Sequence, residues 1–347
     1  MNKERICFID GDIVAYRCAA ANEKRTVVAK HKETLEELEF DTATDFKAWV
    51  SGNGEDKEWY ELIPKQTPGP IENAYQSVKT SLQTITEKAG CDSYHIVLSG
   101  EGNFRLDLPL PTRYKDSRKE STRPIQLKKC RDFLIKKYNA EVSNGDEADA
   151  LLVAYATQSY TEWVKSGRPL DNLPDVQASL DKDAKHGPFM LFDWTIMEEP
   201  ELIEGYGAMT LTLRDTGKKK VNGDPVYEKI VKGKGRAFLW FQILFGDPVD
   251  CYKPCELAKA KFGEVGAYEL LKDCKNDKEA LEAVVNQYKR WYPKPVTYTA
   301  WDGVKYTKTW IEIMQMYADC AFMARWEGDK LDVKKLLDKL EIDYELQ

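Results

Sequence analysis

The chain has 347 residues, 42% of them hydrophobic and 11% aromatic, with 51 Lys+Arg against 58 Asp+Glu and a formal net charge of −7. That length and aromatic content exclude wholesale disorder and allow two domains, or one large domain with insertions. No run approaches the roughly 18 apolar residues that span a bilayer, and the start shows no secretory h-region, so a cytoplasmic protein without a membrane partner is expected. In chain order, Ile6-Cys7-Phe8-Ile9 reads as a buried strand delivering Asp10-Gly11-Asp12 at its C-terminal edge, and Ile13 to Ala21 as a helix. Residues 41–70 read as an irregular insertion, and Ile71 to Ala89 as an amphipathic helix. His95-Ile96-Val97-Leu98 is a second buried strand, ending at Ser99-Gly100-Glu101.

From Arg113 to Lys137 there are ten basic and three acidic residues. Pro124 opens a helix there, and a strand at Ala140-Glu141-Val142 leads through Asp146-Glu147-Ala148-Asp149 into a helix from Ala150 to Ala156. Val176 to Leu180 is a further strand, ending at Asp181-Lys182-Asp183. Gly205 to Lys232 reads as β-hairpins, with a run Lys218-Lys219-Lys220 before a turn at Asn222-Gly223. A buried helix from Arg236 to Phe245 stops at Gly246-Asp247. Helices follow around 255–262, 265–273, 277–292 and 307–326, then an acidic tail from Asp329 to Gln347 read as a peripheral helix. The pattern specifies an α/β class: a mostly parallel central sheet flanked by helices, then a helical C-terminal part. Residues 1–245 form the expected core, with an insertion near 41–70 and a basic segment near 104–137; residues 246–347 form the second part.

Asp10/Asp12, Glu147/Asp149, Asp181/Asp183 and Asp247/Asp250 all fall at strand ends or helix starts. In a parallel sheet these ends converge on one crevice. Carboxylates packed there repel and rise in pKa unless cations join them, and hard divalent ions such as Mg²⁺ match an all-oxygen donor set. Lys115 and Arg118, three apart, share a face if their segment is helical and suit two phosphate oxygens; an ordinary solvated face is the alternative. The eight cysteines form no zinc pattern, Cys251 and Cys255 having no second pair nearby, and read as reduced and structural.

In its motifs the chain resembles the flap-endonuclease-like 5′-nuclease superfamily, in particular the bacteriophage 5′–3′ exonuclease branch. The matching pieces, in order, are Phe8-Ile9-Asp10-Gly11-Asp12, Tyr114-Lys115-Asp116-Ser117-Arg118-Lys119, Gly145-Asp146-Glu147-Ala148-Asp149, Ser179-Leu180-Asp181-Lys182-Asp183 and Gly246-Asp247-Pro248-Val249-Asp250. The resemblance implies a two-metal phosphodiesterase acting on DNA with a 5′ end or flap, using two Mg²⁺ ions for which Mn²⁺ substitutes. Asp10, Glu147, Asp149 and Asp181 would serve chiefly one metal, and Asp183, Asp247 and Asp250 the other. Lys115 and Arg118 would stand at the foot of an arch admitting the 5′ end. Tyr114 would stack on a terminal base, a core position being the alternative. Where the family carries a further Asp, this chain has Ala150, with Asp146 as the neighbour that would compensate. Glu101 is the nearest second-strand carboxylate. The family's glycine-rich duplex-gripping turn is only partly matched by Phe262-Gly263-Glu264-Val265-Gly266, which leaves its potassium site open. A monomer is expected.

Two other readings compete. Asp10-Gly11-Asp12-Ile13-Val14 also fits the opening motif of haloacid-dehalogenase-type phosphatases, but that leaves Glu147/Asp149, Asp181/Asp183 and Tyr114-Lys115-x-x-Arg118 unexplained. A non-catalytic DNA-end-binding module is the third reading, motivated by Ala150. Lys218 to Lys220, with Lys229, Lys232, Lys234 and Arg236, are either duplex-phosphate contacts or a plain exposed hairpin. Trp291, Trp301 and Trp310 read as helical core, and His186 as structural.

Overall fold

The structure is a computed structural model that describes residues 4–344 except 121, 171, 221 and 327, with Glu120 described by its backbone. The first three residues and the last three of the acidic tail lie outside the described residues. An apolar pentapeptide forms β1 (Ile6–Asp10) and runs directly into α1 (Gly11–Ala21). β2 (Glu23–His31), β3 (Glu37–Phe40), α2 (Ala43–Asn53) and β4 (Tyr60–Pro68) follow, then α3 (Ile71–Lys88) and β5 (Ser93–Leu98). After two short 3₁₀ turns come α4 (Leu127–Tyr138), β6 (Glu141–Val142), α5 (Ala148–Lys165), β7 (Val176–Ala178), β8 (Phe189–Phe192) and β9 (Glu201–Ile203). The remainder is a hairpin of β10 (Ala208–Lys219) and β11 (Pro225–Lys234), then α6 (Arg236–Phe245), α7 (Glu264–Leu271) and α8 (Asp277–Trp291). It closes with a second hairpin of β12 (Val296–Thr299) and β13 (Lys305–Lys308), α9 (Trp310–Ala321) and α10 (Val333–Lys339).

The chain divides into two compact units. The larger comprises Met1–Asp10, Ile85–Ser121 and Glu141–Gln347. Its six-stranded sheet has the order β6-β5-β1-β7-β8-β9, parallel except where β9 runs antiparallel to β8. β1 is central, Phe8 lying opposite His95 on one side and Gln177 on the other. Because β5 and β6 lie on one side of β1 and β7 and β8 on the other, the crevice outside the carboxyl ends is the site such topology creates. α5 packs its apolar face, including Leu152, Val153 and Ala156, against Phe8, Val97, Phe189 and Leu191. A second, larger core joins α6, α8 and α9, with Trp240, Tyr288 and Tyr317 buried at its centre. α9 starts at a capping box in which Thr309 and Glu312 satisfy each other's end of the first turn.

The smaller unit comprises Gly11–Thr84 and Thr122–Ala140. Its antiparallel sheet has the order β3-β2-β4, and Ala29, Phe46 and Val50 close a small core beneath it. α1 packs on α4, with an ion pair from Asp12 to Arg131, and Tyr75 of α3 stacks on Phe133 with centroids 4.2 Å apart.

Several expectations need correction. Residues 41–70 are not irregular: they hold α2 and β4. β4 is exposed on both faces for most of its length, so it has no apolar alternation to reveal it. Residues 255–262 form turns rather than a helix, and the helix read over 307–326 is a strand followed by α9. Gly205 to Lys232 is one long hairpin. Trp310 is buried as core, but Trp301 is 37% exposed, with the Arg113 guanidinium stacked 4.5 Å from its ring. Among the described residues, no helix is long and apolar enough to cross a membrane. All eight cysteines are free thiols.

Candidate metal centre

Four chain segments bring carboxylates to the carboxyl edge of the parallel sheet in the larger unit. β1 ends on the buried Asp10. Beyond β7, the Ser179 hydroxyl donates to Asp10 Oδ2 at 3.4 Å and accepts the Asp181 N–H at 3.1 Å, while Asp181 Oδ1 accepts the Asp183 N–H at 2.9 Å. These local side-chain-to-backbone bonds turn the chain out of the strand and fix its carboxylates. Beyond β6, Glu147 is the N-cap of α5 and Asp149 lies in its first turn, where the helix dipole favours negative charge. The fourth segment leaves α6 at Gly246, whose φ is 91° and whose Cβ, were there one, would lie 2.4 Å from the Tyr252 carbonyl oxygen. That sharp turn, closed by paired backbone bonds between Asp247 and Tyr252, presents Asp247 and Asp250.

Asp183, Asp247 and Asp250 are all buried and each offers an oxygen within 4.8 Å of the others. Burial, then the facing Asp181, pushes the Asp183 carboxyl up to about 8, with Asp250 and Asp247 adding to the rise against a bond from Gln242. Asp149 is likewise raised, by burial first and then by Asp181, Asp10 and Glu147. Its Oδ1 is sealed from solvent with no hydrogen-bond partner among the described residues. Behind the triad, Gln242 donates to Asp183 and accepts from His186, which burial keeps neutral with a pKa lowered to about 4. His186 therefore positions a positioning residue and is not a ligand.

Three cations face these seven carboxylates. Lys115, at a φ of 57°, has its backbone N–H on the Asp250 carbonyl at 3.0 Å, its Nζ paired with Glu147, and Asp250 Oδ2 3.8 Å away. Arg118 donates to Asp250 Oδ1 at 2.9 Å, and Lys182 pairs with Asp247 Oδ2 at 2.6 Å. Seven carboxylates against three cations leave a net negative, all-oxygen donor set with one orphaned oxygen, which fits hard divalent cations of the Mg²⁺ class. Asp10, Glu147, Asp149 and Asp181 would hold one cation and Asp183, Asp247 and Asp250 a second.

Tyr114 does not sit where a base would stack. Its ring is 1% exposed in the helical core, parallel to Tyr252, and its hydroxyl donates to Asp250 Oδ2 at 2.7 Å. Apolar burial of the ring and one bond to a carboxylate explain this placement, so Tyr114 orients Asp250. Lys115 and Arg118 do lie together, although their segment is a 3₁₀ turn from Asp116 to Glu120 rather than an α-helix. Near Ala150, Asp146 is engaged through its Oδ1, which accepts from buried Arg105 at 2.7 Å and from the Glu147 N–H at 2.8 Å. Glu101 is solvent-exposed. Asp12 is paired with Arg131. Sequence reasoning missed Lys182, whose signal was its place between Asp181 and Asp183, and Arg105 and Gln242, which carry no local signature.

Three solved structures match most of the chain. The bacteriophage T5 D15 flap endonuclease, in a pseudo-enzyme-product complex with DNA and metal ions, is similar at a TM-score of 0.48 and 12% identity, covering 97% of this chain and 99% of that one. A T5 5′-exonuclease mutant gives 0.42 at 11% identity, covering 93% and 88%. T5 D15 protein co-crystallised with metal ions gives 0.40 at 13% identity, covering 82% and 79%. No family profile and no curated protein matches the sequence.

Proposed function

We propose that the chain is a metal-dependent nuclease that hydrolyses DNA phosphodiester bonds from a 5′ end, with flap cleavage by the same site, using two Mg²⁺ ions or Mn²⁺ in their place. The observation that carries this reading is the interleaving of seven carboxylates, on four segments, with Lys115 and Arg118. A phosphatase or a mere structural cluster needs no such pairing of a large anionic cage with basic groups at its rim. Asp10, Glu147, Asp149 and Asp181 would hold one cation, and Asp183, Asp247 and Asp250 the other. Cations held there would supply Lewis-acid activation of water and of the leaving oxygen. Lys115 and Arg118 hold non-bridging phosphate oxygens and offset charge that develops during displacement. Tyr114 and Gln242 keep Asp250 and Asp183 in place, and the sealed back of the site, against Tyr252 and His186, excludes water from behind the carboxylates.

The test is incubation of duplexes labelled at the 5′ or at the 3′ end with Mg²⁺, with and without chelator. Release of label from the 5′ end, abolished by chelator, is expected; its absence refutes the reading. Asp181→Ala should stop turnover while binding persists. A phosphatase would instead hydrolyse a generic aryl phosphate, and a binding module would show neither activity.

A further inference from the structure

Within the larger unit, the hairpin β10–β11 supplies no residue to the metal centre. It runs twelve residues out along Ala208–Lys219 and ten back along Pro225–Lys234, with register from Ala208↔Lys234 to Lys219↔Pro225. Only its base is packed. There the Val231 N–H donates to Glu264 Oε1 at 2.8 Å, the Gly235 N–H to the Lys185 carbonyl at 2.7 Å and the Ala237 N–H to the Tyr206 carbonyl at 2.8 Å. Glycines let the base close: a Cβ on Gly233 would lie 2.4 Å from the Phe238 ring, and one on Gly235 would lie 2.7 Å from Gly207 Cα. The contact at Lys185 ties this base to the segment carrying Asp183, two residues earlier.

The outer part is free of packing and unevenly charged. Leu213 is 67% exposed and Tyr227 54%. Across the whole hairpin seven residues are basic, Arg214, Lys218, Lys219, Lys220, Lys229, Lys232 and Lys234, and three are acidic, Asp215, Asp224 and Glu228. Arg214 is matched across the strands by Glu228, and Lys234 by Glu201. Asp215 accepts the Gly217 N–H at 2.8 Å and Asp224 accepts from Asn222 at 2.7 Å, so both acids shape the tip. Lys218, Lys219, Lys220, Lys229 and Lys232 are exposed and have no carboxylate partner among the described residues.

We infer that this hairpin is an arm that grips the phosphate backbone of duplex DNA away from the metal centre. The charge complementarity is direct: a two-stranded ribbon with a lysine tip meets a polymer with one negative charge per ~1.7 Å of axis. At about 3.3 Å per residue the arm reaches roughly 35 Å from its base, which is about one helical turn of duplex. Its rigid anchorage beside Asp183 sets the distance between grip and cleavage. The inference rests on the nuclease reading for its choice of DNA as the polyanion.

The experiment compares the wild-type chain with a Lys218→Gln, Lys219→Gln, Lys220→Gln triple variant, and with the corresponding triple Arg variant as a charge-preserving control. Binding of 30-base-pair and 8-base-pair duplexes is followed by fluorescence anisotropy in chelator across a KCl series. On the longer duplex the Gln variant should show a salt slope shallower by about 2–3 and affinity lower by on the order of 100-fold at 0.1 M salt. The difference should shrink on the 8-base-pair duplex, and the Arg variant should restore the slope. An unchanged slope overturns the proposal, as does wild-type binding to anionic vesicles or acidic protein but not to duplex. Wild-type cleavage is scored separately: a variant-sensitive slope without cleavage keeps the arm and removes the nuclease reading, whereas cleavage with an unchanged slope does the reverse.

Discussion

Arg105 offers the sharpest test of how the carboxylate cage is held. Its side chain is 1% exposed, and its guanidinium donates to Asp146 Oδ1 at 2.7 Å, the Phe322 carbonyl at 2.7 Å and the Cys320 carbonyl at 3.2 Å. Asp146 Oδ1 also accepts the Glu147 N–H, so one buried cation ties the end of α9 to the residue that caps α5. Arg105→Ala removes a buried partner and strands both carbonyls and a carboxylate. Breaking such a pair costs about 3–5 kcal/mol; Asp146 is a quarter exposed and recovers some solvation, which selects the lower end, about 3 kcal/mol. In a unit of this size that lowers the melting temperature by roughly 6–12 °C. Arg105→Lys keeps the charge but not the planar fork, and should lose about half as much. Differential scanning calorimetry of the metal-free chain measures both. A loss below 2 °C for Arg105→Ala would refute the idea that this clamp holds the Glu147 segment.

Other outcomes follow from the same geometry. The Asp183 carboxyl titrates near 8 when folded against an ordinary 3.8, so the folded state holds the proton more tightly; the stabilisation is full below about pH 4 and lost as pH rises to 8. Melting curves of chelator-treated protein should therefore fall across pH 5–8.5, and a rise across that window contradicts the cluster. Asp183→Asn removes the like charge while keeping the acceptor for Gln242, so it should raise the metal-free melting temperature at pH 8 by roughly 2–6 °C while weakening the response to Mg²⁺. A Mg²⁺ concentration of 100 times its Kd should stabilise the wild type by about 2.7 kcal/mol, and an unchanged melting curve would show that the acids bind no cation. Tyr114→Phe deletes one bond to Asp250 and should cost about 1–2 kcal/mol without changing affinity for a blunt 5′ end; a specific loss of end affinity would restore the stacking role.

Parallel strands such as β1 were legible because burial on both faces makes them short apolar runs, and β1 ends abruptly in a carboxylate at Ile9-Asp10. Acidic pairs close to strand ends, at the start of α5 and after α6 together marked the four carboxylate-bearing segments. The apolar pattern failed where strands are half-solvated: β2 and β4 alternate little and carry Lys, Glu and Gln on open faces. It failed again where a residue's role depends on distant partners. Arg105 meets Asp146, Cys320 and Phe322, which are 41 to 217 positions away. Tyr114 looked the same as a core or a stacking residue until the helical core of α6, α8 and α9 closed around it. β8, Phe189-Met190-Leu191-Phe192, was an apolar run long enough to be read, and it too runs into an acid, Asp193, whose carboxylate accepts from the Thr195 hydroxyl at 2.6 Å and faces Lys185.

The pairing of Lys115, Arg118 and Lys182 with Glu147, Asp250 and Asp247 means that the chain supplies its own counter-ions. Under the proposed function, a divalent cation entering the cage would compete with them for the same carboxylates, and a displaced ammonium or guanidinium would be free for a phosphate. Metal and nucleic acid would then draw on one exchange of partners, and each would raise the other's affinity by the same factor, in whichever order they arrived. Metal affinity measured on the protein alone would then be a lower bound on the affinity in the presence of DNA.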